Sequence, residues 1–73
     1  MMDKPVVGGL YRHYKGGMYR ILTIARHSET LEELVVYANA SDPALVWARP
    51  ISMWSETVET KDGTVLRFTI VKE

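Results

Sequence analysis

The chain contains 73 residues, of which 47% are hydrophobic and 25% are charged, and it has no cysteine. This length supports a single domain with a thin core, and the lack of cysteine excludes disulfides and thiolate zinc sites. Nine basic residues balance nine acidic ones, which argues against a protein that holds nucleic acid chiefly by phosphate neutralisation. No apolar run approaches the roughly 20 residues of a membrane span, and no signal peptide is evident, so we expect a soluble cytoplasmic protein without a membrane partner.

The first predicted element is a β-hairpin. Residues 1–8 are interpreted as a flexible N-terminal arm of one domain that covers residues 1–73. Residues 10–15 predict a short strand, and the Gly16-Gly17 turn returns it into a second strand over residues 18–27. The second strand carries apolar residues on both faces, which is typical of a strand that bends and contributes to both sides of a barrel.

An acidic segment follows the hairpin. Thr30 and Glu33 have the spacing of a capping box, so a single helical turn, or a longer helix through residues 34–38, is an alternative here. Residues 34–38 are rich in β-branched and aromatic side chains, which favours a third strand. We therefore interpret the acidic segment as a structured loop that leads into this strand.

The rest of the chain predicts shorter elements. Residues 44–49 predict a fourth strand that Pro50 ends, and residues 51–54 predict an irregular or single-turn connection. Asp62-Gly63 is a strong turn signal, but the segments around it lack matching apolar faces, so its hairpin should be short.

These elements predict a mainly all-β fold, a small five-stranded antiparallel barrel of the SH3-like kind with one short helical turn at most. Closure of the barrel would remove the exposed strand edges that invite aggregation. The expected core is drawn from Leu10, Tyr19, Ile21, Leu22, Ile24, Leu34, Val36, Leu45, Trp47, Phe68 and Ile70.

Charge is distributed unevenly along the chain. Residues 11–27 contain four Lys or Arg and no acid, whereas residues 28–46 contain four Asp or Glu and no base. The two segments either pair across neighbouring strands or leave a basic face that meets an anionic partner.

The densest group of reactive side chains is Arg26-His27-Ser28-Glu29. On an extended backbone His27 and Glu29 share a face, and a carboxylate favours the protonated imidazole that a general acid or an anion-binding group needs. The structural alternative is a strand end whose polar side chains satisfy the loop backbone. Ser28 fits poorly as a nucleophile, because its neighbour in sequence cannot serve as its in-line base.

Nothing in the sequence supports a metal, a cofactor or an assigned catalytic residue. Even if His13 and His27 met across the first hairpin, two histidines without a thiol match no metal-ligand pattern. The glycine pairs match no phosphate-binding loop.

Aromatic and basic residues alternate over residues 11–15, a pattern that in small barrels stacks bases or holds extended peptides. Trp54, close to Pro50, is expected to be the partly exposed ring. The candidate binding residues are Arg12, Tyr14, Arg26, His27, Glu29, Arg49 and Trp54.

Three motifs resemble a known family: Gly-Leu-Tyr-Arg-His-Tyr-Lys-Gly (9–16), Ala-Arg-His-Ser-Glu-Thr-Leu-Glu-Glu-Leu-Val-Val-Tyr (25–37), and Trp-Ala-Arg-Pro with the nearby Met-Trp (47–54). Over residues 9–68 the chain is similar to short bacterial proteins classified only as a domain of unknown function. The resemblance implies a small stand-alone bacterial domain, and it supplies no activity, cofactor or partner.

We expect a non-enzymatic binding module that recognises an anionic or extended partner, either a nucleic acid (RNA or single-stranded DNA) or a protein segment. The alternative is a small acid/base enzyme or accessory subunit that uses His27 and Glu29, in which a homodimer could build the pocket that so short a chain seldom encloses. A structural subunit with an exposed β edge is a third reading.

Overall fold

The computed structural model describes residues 4–73, which form seven β-strands and one single-turn 3-10 helix. The strands are β1 (Leu10–His13), β2 (Met18–Arg26), β3 (Glu33–Asn39), β4 (Val46–Pro50), β5 (Thr57–Thr60), β6 (Gly63–Leu66) and β7 (Phe68–Val71), and the 3-10 helix is Ile51–Met53. In this part of the chain no helix is long and apolar enough to cross a membrane.

Five strands form one antiparallel sheet in the order β4-β3-β2-β1-β7, and β5 pairs only with β6. The predicted all-β fold, with its five-stranded antiparallel sheet and one short helical turn, is confirmed. The expected barrel, however, is not closed: within residues 4–73, β4 and β7 are the two edges of the sheet and do not pair. β5, the next strand after β4, instead pairs with β6 in a separate hairpin.

The predicted β1–β2 hairpin is present. Gly16 has a φ of +106°, a left-handed conformation that favours glycine. Its N–H donates to the carbonyl oxygen of His13 at 2.7 Å, and the N–H of His13 donates to the carbonyl oxygen of Gly17 at 2.7 Å. The turn thereby sets the register that places Tyr11 opposite Tyr19.

A β-bulge at Leu22 explains the two apolar faces of β2. Ile21 lies opposite Tyr37 and Thr23 lies opposite Val36, so Leu22 is the extra residue on this strand. A bulge shifts the alternation of side chains by one position, and both Ile21 and Ile24 therefore face the core. Leu22 itself, expected in the core, is 48% exposed.

The core face of β3 is the opposite of the one predicted. Val35 and Tyr37 are buried, whereas Leu34 and Val36 are only half-buried. The strand is apolar at consecutive positions, so its sequence does not reveal which set faces inwards, and the pairing with the bulged β2 decides.

Two further residues expected in the core lie at the margins of the sheet. Leu45 precedes edge strand β4 and Ile70 lies on edge strand β7, and both are exposed. A closed barrel would have covered these edges, so their exposure follows from the open sheet.

Trp54 covers the inner face of the sheet, which we define as the face that carries Tyr11, Ile21, Val35, Tyr37 and Phe68. Its ring stacks on Phe68 at 4.0 Å between centroids with an interplanar angle of 4°, and it meets Tyr11 and Tyr37 edge to face. Trp54 is 3% exposed and Trp47 is 41% exposed, so the predicted roles of the two tryptophans are reversed.

Residues 27–32 form the predicted structured loop, and neither helical alternative is present. The N–H of His27 donates to the carbonyl oxygen of Glu32 at 2.7 Å, and the N–H of Leu31 donates to the carbonyl oxygen of His27 at 2.9 Å. Leu31 takes a φ of 65°, which reverses the chain and allows β3 to begin at Glu33.

The β5–β6 hairpin has four residues in each strand, and its turn lies one residue earlier than the predicted Asp62-Gly63. Residues 61–62 connect strands that pair over their full length. In this register Val58 faces Val65, which supplies an apolar cross-strand pair.

Both ends of the described chain meet at Arg20. Residues 1–8 are the segment expected to be a flexible arm, of which residues 1–3 lie outside the described residues. The N–H of Gly8 donates to the carbonyl oxygen of Ile21 at 2.8 Å. Arg20 donates to the carbonyl oxygen of Gly8 at 2.7 Å and to both carboxylate oxygens of Glu73 at 3.0 Å. The guanidinium of Arg20 lowers the pKa of the Glu73 carboxyl from its ordinary value.

We predict that the two tryptophans differ sharply in their contribution to stability. Replacing a buried Trp by Ala costs about 3–5 kcal/mol, so Trp54→Ala should lower the free energy of unfolding by that amount. Because Trp47 is more exposed, Trp47→Ala should lower the free energy of unfolding by only about 1 kcal/mol. Urea unfolding followed by circular dichroism measures both, and equal losses would contradict the assignment of Trp54 as the core residue.

Candidate ligand-binding groove

An aromatic groove of about 290 Å³ opens on the inner face of the sheet, beside the region that Trp54 covers. We call it the aromatic groove, and its lining residues are His13, Tyr19, Tyr37, Trp47, Arg49 and Phe68. Its size is at the lower end for small-molecule sites, about 300 Å³.

Strand pairing brings the lining residues together from five strands. His13 on β1 lies opposite Phe68 on β7, and Tyr37 on β3 lies opposite Trp47 on β4. Arg49 follows Trp47 by two positions, so the two side chains share one face of β4. The groove therefore depends on the register of the whole sheet.

The wall formed by Trp47 is an aromatic platform. Its ring stacks on Tyr37 at 5.9 Å between centroids with an interplanar angle of 30°, and Tyr19 meets it edge to face at 5.7 Å. The other neighbours of Tyr37 include the buried Trp54 at 5.0 Å. The indole of Trp47 is thus held by the core while two fifths of the residue stays in contact with solvent.

Arg49 provides the cationic side of the groove. Its guanidinium carbon lies 5.7 Å from the centroid of the Phe68 ring, a cation–π arrangement. Its only ion-pair partner among residues 4–73 is Glu56, at 4.0 Å, and its Nε is shielded from solvent without a hydrogen-bond partner. Arg67 likewise has a shielded Nε without a partner in this part of the chain.

His13 enters the groove as a neutral hydrogen-bond donor. Its Nδ1 accepts the N–H of Lys15 at 3.1 Å, which leaves the proton of the neutral ring on Nε2. Burial lowers the pKa of His13 below 6.5, and the positive charges of Arg67, Lys15 and Arg49 lower it further.

Arg49 lines the groove and the charges of Lys15 and Arg67 also act on His13, although the chain as a whole is neutral. The expected pairing between the basic segment 11–27 and the acidic segment 28–46 is absent from the described residues, whose two ion pairs are Arg20–Glu73 and Arg49–Glu56. The basic side chains are thus not neutralised by the acidic segment.

The structure places the predicted residues Arg12, on β1, and Tyr14, in the turn after it, on different surfaces. Arg12 alternates with Tyr11 and His13 and so points away from the groove, where it is exposed. Tyr14 packs against His13 at 4.6 Å between centroids, at the rim of the groove, with the Nζ of Lys15 5.8 Å from the Tyr14 centroid.

The Arg26 and His27 side chains hydrogen-bond to the backbone of their own loop. Nδ1 of His27 accepts the backbone N–H groups of Glu29 and Thr30 at 3.1 and 3.3 Å, and Arg26 donates to the carbonyl oxygen of Leu31 at 2.9 Å. No ion pair joins His27 to the Glu29 carboxylate in residues 4–73. This geometry matches the structural interpretation of the group and lies outside the aromatic groove.

Of the seven predicted binding residues, Arg49 alone lines the groove, and Trp54 supports it from the buried side. Tyr19, Trp47 and Phe68 were expected in the core, and His13 and Tyr37 were not among the candidate binding residues, yet all five line the groove. The one available signal was the Trp-x-Arg spacing on a predicted strand, which puts an aromatic ring and a cation on the same face. Among the described residues no three His, Cys, Asp or Glu side chains are grouped closely enough for a metal ion.

A family model described as "Protein of unknown function (DUF1653)" matches residues 9–70. The chain belongs to the DUF1653 family. A crystal structure of a DUF1653 protein from Bordetella bronchiseptica is similar to it, with 41% sequence identity and a TM-score of 0.78 over 90% of this chain and 87% of that chain. No curated protein matches the chain. The DUF1653 match spans all residues that line the groove.

We predict a pH dependence of stability that arises at His13. Because the pKa of folded His13 lies below 6.5, the unfolded chain binds more protons between that pKa and 6.5, and stability falls as the pH is lowered through this window. His13→Asn keeps an acceptor for the Lys15 N–H and removes the titration. Urea unfolding at about pH 7.5 and about pH 5.5 should show a smaller loss for the variant on acidification, and parallel losses would contradict the prediction.

Proposed function

We propose that this domain binds single-stranded nucleic acid, with one base stacked on Trp47 and the neighbouring phosphate held by Arg49. The observation that carries the proposal is the pairing of a solvent-exposed indole with a weakly paired guanidinium on one face of β4. Every base has an apolar ring face that stacks on an aromatic side chain, and a guanidinium donates charge-assisted hydrogen bonds to phosphate.

The geometry of the groove supports stacking. Trp47 is held between Tyr37 and Tyr19, so the ring is oriented before a ligand arrives and loses little conformational freedom on binding. Two residues along a strand are about 6.6 Å apart, so Arg49 and Trp47 lie next to each other on one face of β4, and both line the groove.

The local charge supports an anionic partner over a neutral peptide. Lys15, Arg49 and Arg67 all act on His13, whereas Glu56 is the carboxylate that pairs with Arg49. A proline-rich peptide would use the aromatic surface but would leave these cations unused. We also propose that the protein is bacterial and lies in the cytoplasm, where single-stranded RNA is available. The similar DUF1653 protein of known structure is from Bordetella bronchiseptica.

The neutral net charge fits a small binding footprint. A groove of about 290 Å³ contacts one or two phosphates, so affinity should depend only weakly on salt. The expected slope of log K against log salt is about −0.7 per neutralised phosphate for a single strand. The acid/base alternative at His27 and Glu29 is not favoured, because the Nδ1 of His27 is engaged by the loop backbone.

We predict that Trp47→Leu and Arg49→Met each weaken binding of a short single-stranded RNA. Loss of base stacking costs about 1–3 kcal/mol, which corresponds to an affinity loss of roughly 5- to 150-fold for Trp47→Leu. Arg49→Met should cost about tenfold or more, because a charge-assisted hydrogen bond is lost. Fluorescence anisotropy with labelled oligonucleotides of random sequence measures both.

Arg12→Met is the matched control, since it removes the same charge from the opposite face of β1 and should change affinity less than about twofold. All variants should retain the wild-type circular dichroism spectrum. An Arg12→Met loss as large as that of Arg49→Met would move the binding surface out of the groove, and the absence of binding by the wild-type chain would refute the proposal.

A further inference from the structure

We infer that the domain forms a symmetric homodimer in which edge strand β4 pairs antiparallel with β4 of a second copy of the chain. The inference goes beyond the proposed function and does not depend on it, because the groups that form the pairing are backbone atoms at the edge of the sheet. The occupant of this edge is a second copy, and the structure defines the register in which the two strands meet.

The first support is the direction of the backbone groups of β4. The N–H of Asn39 donates to the carbonyl oxygen of Leu45 at 3.0 Å, and this pair continues the register of β3 against β4. Hydrogen-bonded and non-hydrogen-bonded pairs alternate along an antiparallel ladder, so the odd-numbered residues of β4 bond to β3 as Leu45 does. The N–H and C=O groups of Val46 and Ala48 therefore point out from the edge of the sheet.

The second support is the lack of protection at this edge. Natural sheets protect their edges with charged side chains, prolines and bulges. β4 pairs with β3 in one continuous register, and its first two outward-directed residues are the uncharged Val46 and Ala48, both exposed. The opposite edge strand, β7, is flanked by the charged residues Arg67 and Lys72. Of the two edges, β4 is therefore the one that favours pairing.

Pro50 determines the register of the pairing. It is the third outward-directed residue of β4, and it has no N–H to donate. A two-fold axis at Trp47 places Val46 opposite the partner's Ala48, and each of the two symmetry-related pairs can exchange two hydrogen bonds. An axis at Ala48 would set Val46 against the partner's Pro50. An axis at Val46 would set Ala48 against the partner's Ala44, which lies in the turn before β4.

The side chains are compatible with an axis at Trp47. Trp47 meets the partner's Trp47 as a non-hydrogen-bonded pair, in which side chains lie closest, and aromatic cross-strand pairs stabilise sheets. Arg49 lies opposite the partner's Leu45, so the two guanidinium groups are kept apart. Leu45, Val46 and Trp47 are each 41–49% exposed, and the pairing covers part of this apolar surface. Self-complementarity of this kind favours a second copy over an unrelated extended peptide.

The oligomeric state of the full chain tests the inference directly. Sedimentation velocity without RNA is measured from about 10 μM to about 1 mM protein, a range that detects the weak association of a small interface. We expect a monomer–dimer equilibrium. A monomer at every concentration would overturn the inference, and so would open-ended assemblies, which need a head-to-tail contact. Because RNA is absent, either result leaves the proposed function standing, and failure of RNA binding would leave the dimer standing.

A proline at each edge tests which strand pairs. Ala48→Pro removes one outward N–H per chain, and with it half of the hydrogen bonds between the copies, so the dimer dissociation constant should rise about tenfold or more. Ile70→Pro is the matched control on β7. The N–H of Tyr14 donates to the carbonyl oxygen of Arg67 at 2.9 Å, and alternation from this pair directs the backbone of Ile70 outwards. Both variants should keep the wild-type circular dichroism spectrum, and equal effects on the dimer would contradict the assignment of β4.

Single cysteines test the register even if a proline variant fails to fold, since the chain has no cysteine of its own. Trp47→Cys places two cysteines at the axis with Cα atoms about 4.5 Å apart, within the range of a disulfide. Leu45→Cys places them about 14 Å apart, beyond that range. Under mild oxidation we expect Trp47→Cys to form a disulfide-linked dimer and Leu45→Cys to remain largely monomeric. Equal cross-linking of the two variants would overturn the proposed register.

Discussion

The structure depends on one constraint: an open antiparallel sheet must cover its apolar inner face without closing on itself. Trp54 meets this need. Trp54 directly follows the 3-10 helix after β4. Its indole stacks on Phe68 and packs edge to face on Tyr11 and Tyr37, so it contacts residues of β7, β1 and β3. In a domain of 73 residues, which buries only about 60% of its unfolded surface, a single large ring of this kind carries much of the core.

The groove follows from the same arrangement, because Trp54 covers one part of the aromatic layer and leaves the other part open. Tyr37 and Phe68 belong to both parts: each contacts Trp54, and Tyr37 also contacts Trp47 while Phe68 also contacts Arg49. The candidate site is thus an extension of the core that reaches solvent. This explains how so small a domain can present an oriented aromatic surface, and why that surface is small.

Local features of the sequence predicted local structure well. The Gly16 hairpin, the loop after His27 and the single turn after Pro50 depend on nearby residues and are present. The wrong predictions concern which side chains of a strand face the core. β3 is apolar at successive positions, and the bulge at Leu22 reverses the alternation of side chains along β2. In both strands the inward-facing residues are therefore decided by pairing with the neighbouring strand. The groove was not predicted for the same reason, since Trp47 and Trp54 can be told apart only by their partners across the sheet. The Arg26–Glu29 cluster was visible in the sequence, and in the structure its His27 and Arg26 side chains bond to their own loop.

The proposed role of the aromatic groove can be tested by an NMR titration of the uniformly ¹⁵N-labelled full chain with a short single-stranded RNA, observed at the backbone amides and at the two indole N–H groups. We expect the resonances of the Trp47 indole and of the His13, Arg49 and Phe68 amides to shift together, while those of the Trp54 indole and the Arg12 amide change little. Shifts centred on Arg12 or on the loop after Arg26, with an unperturbed Trp47 indole, would contradict it.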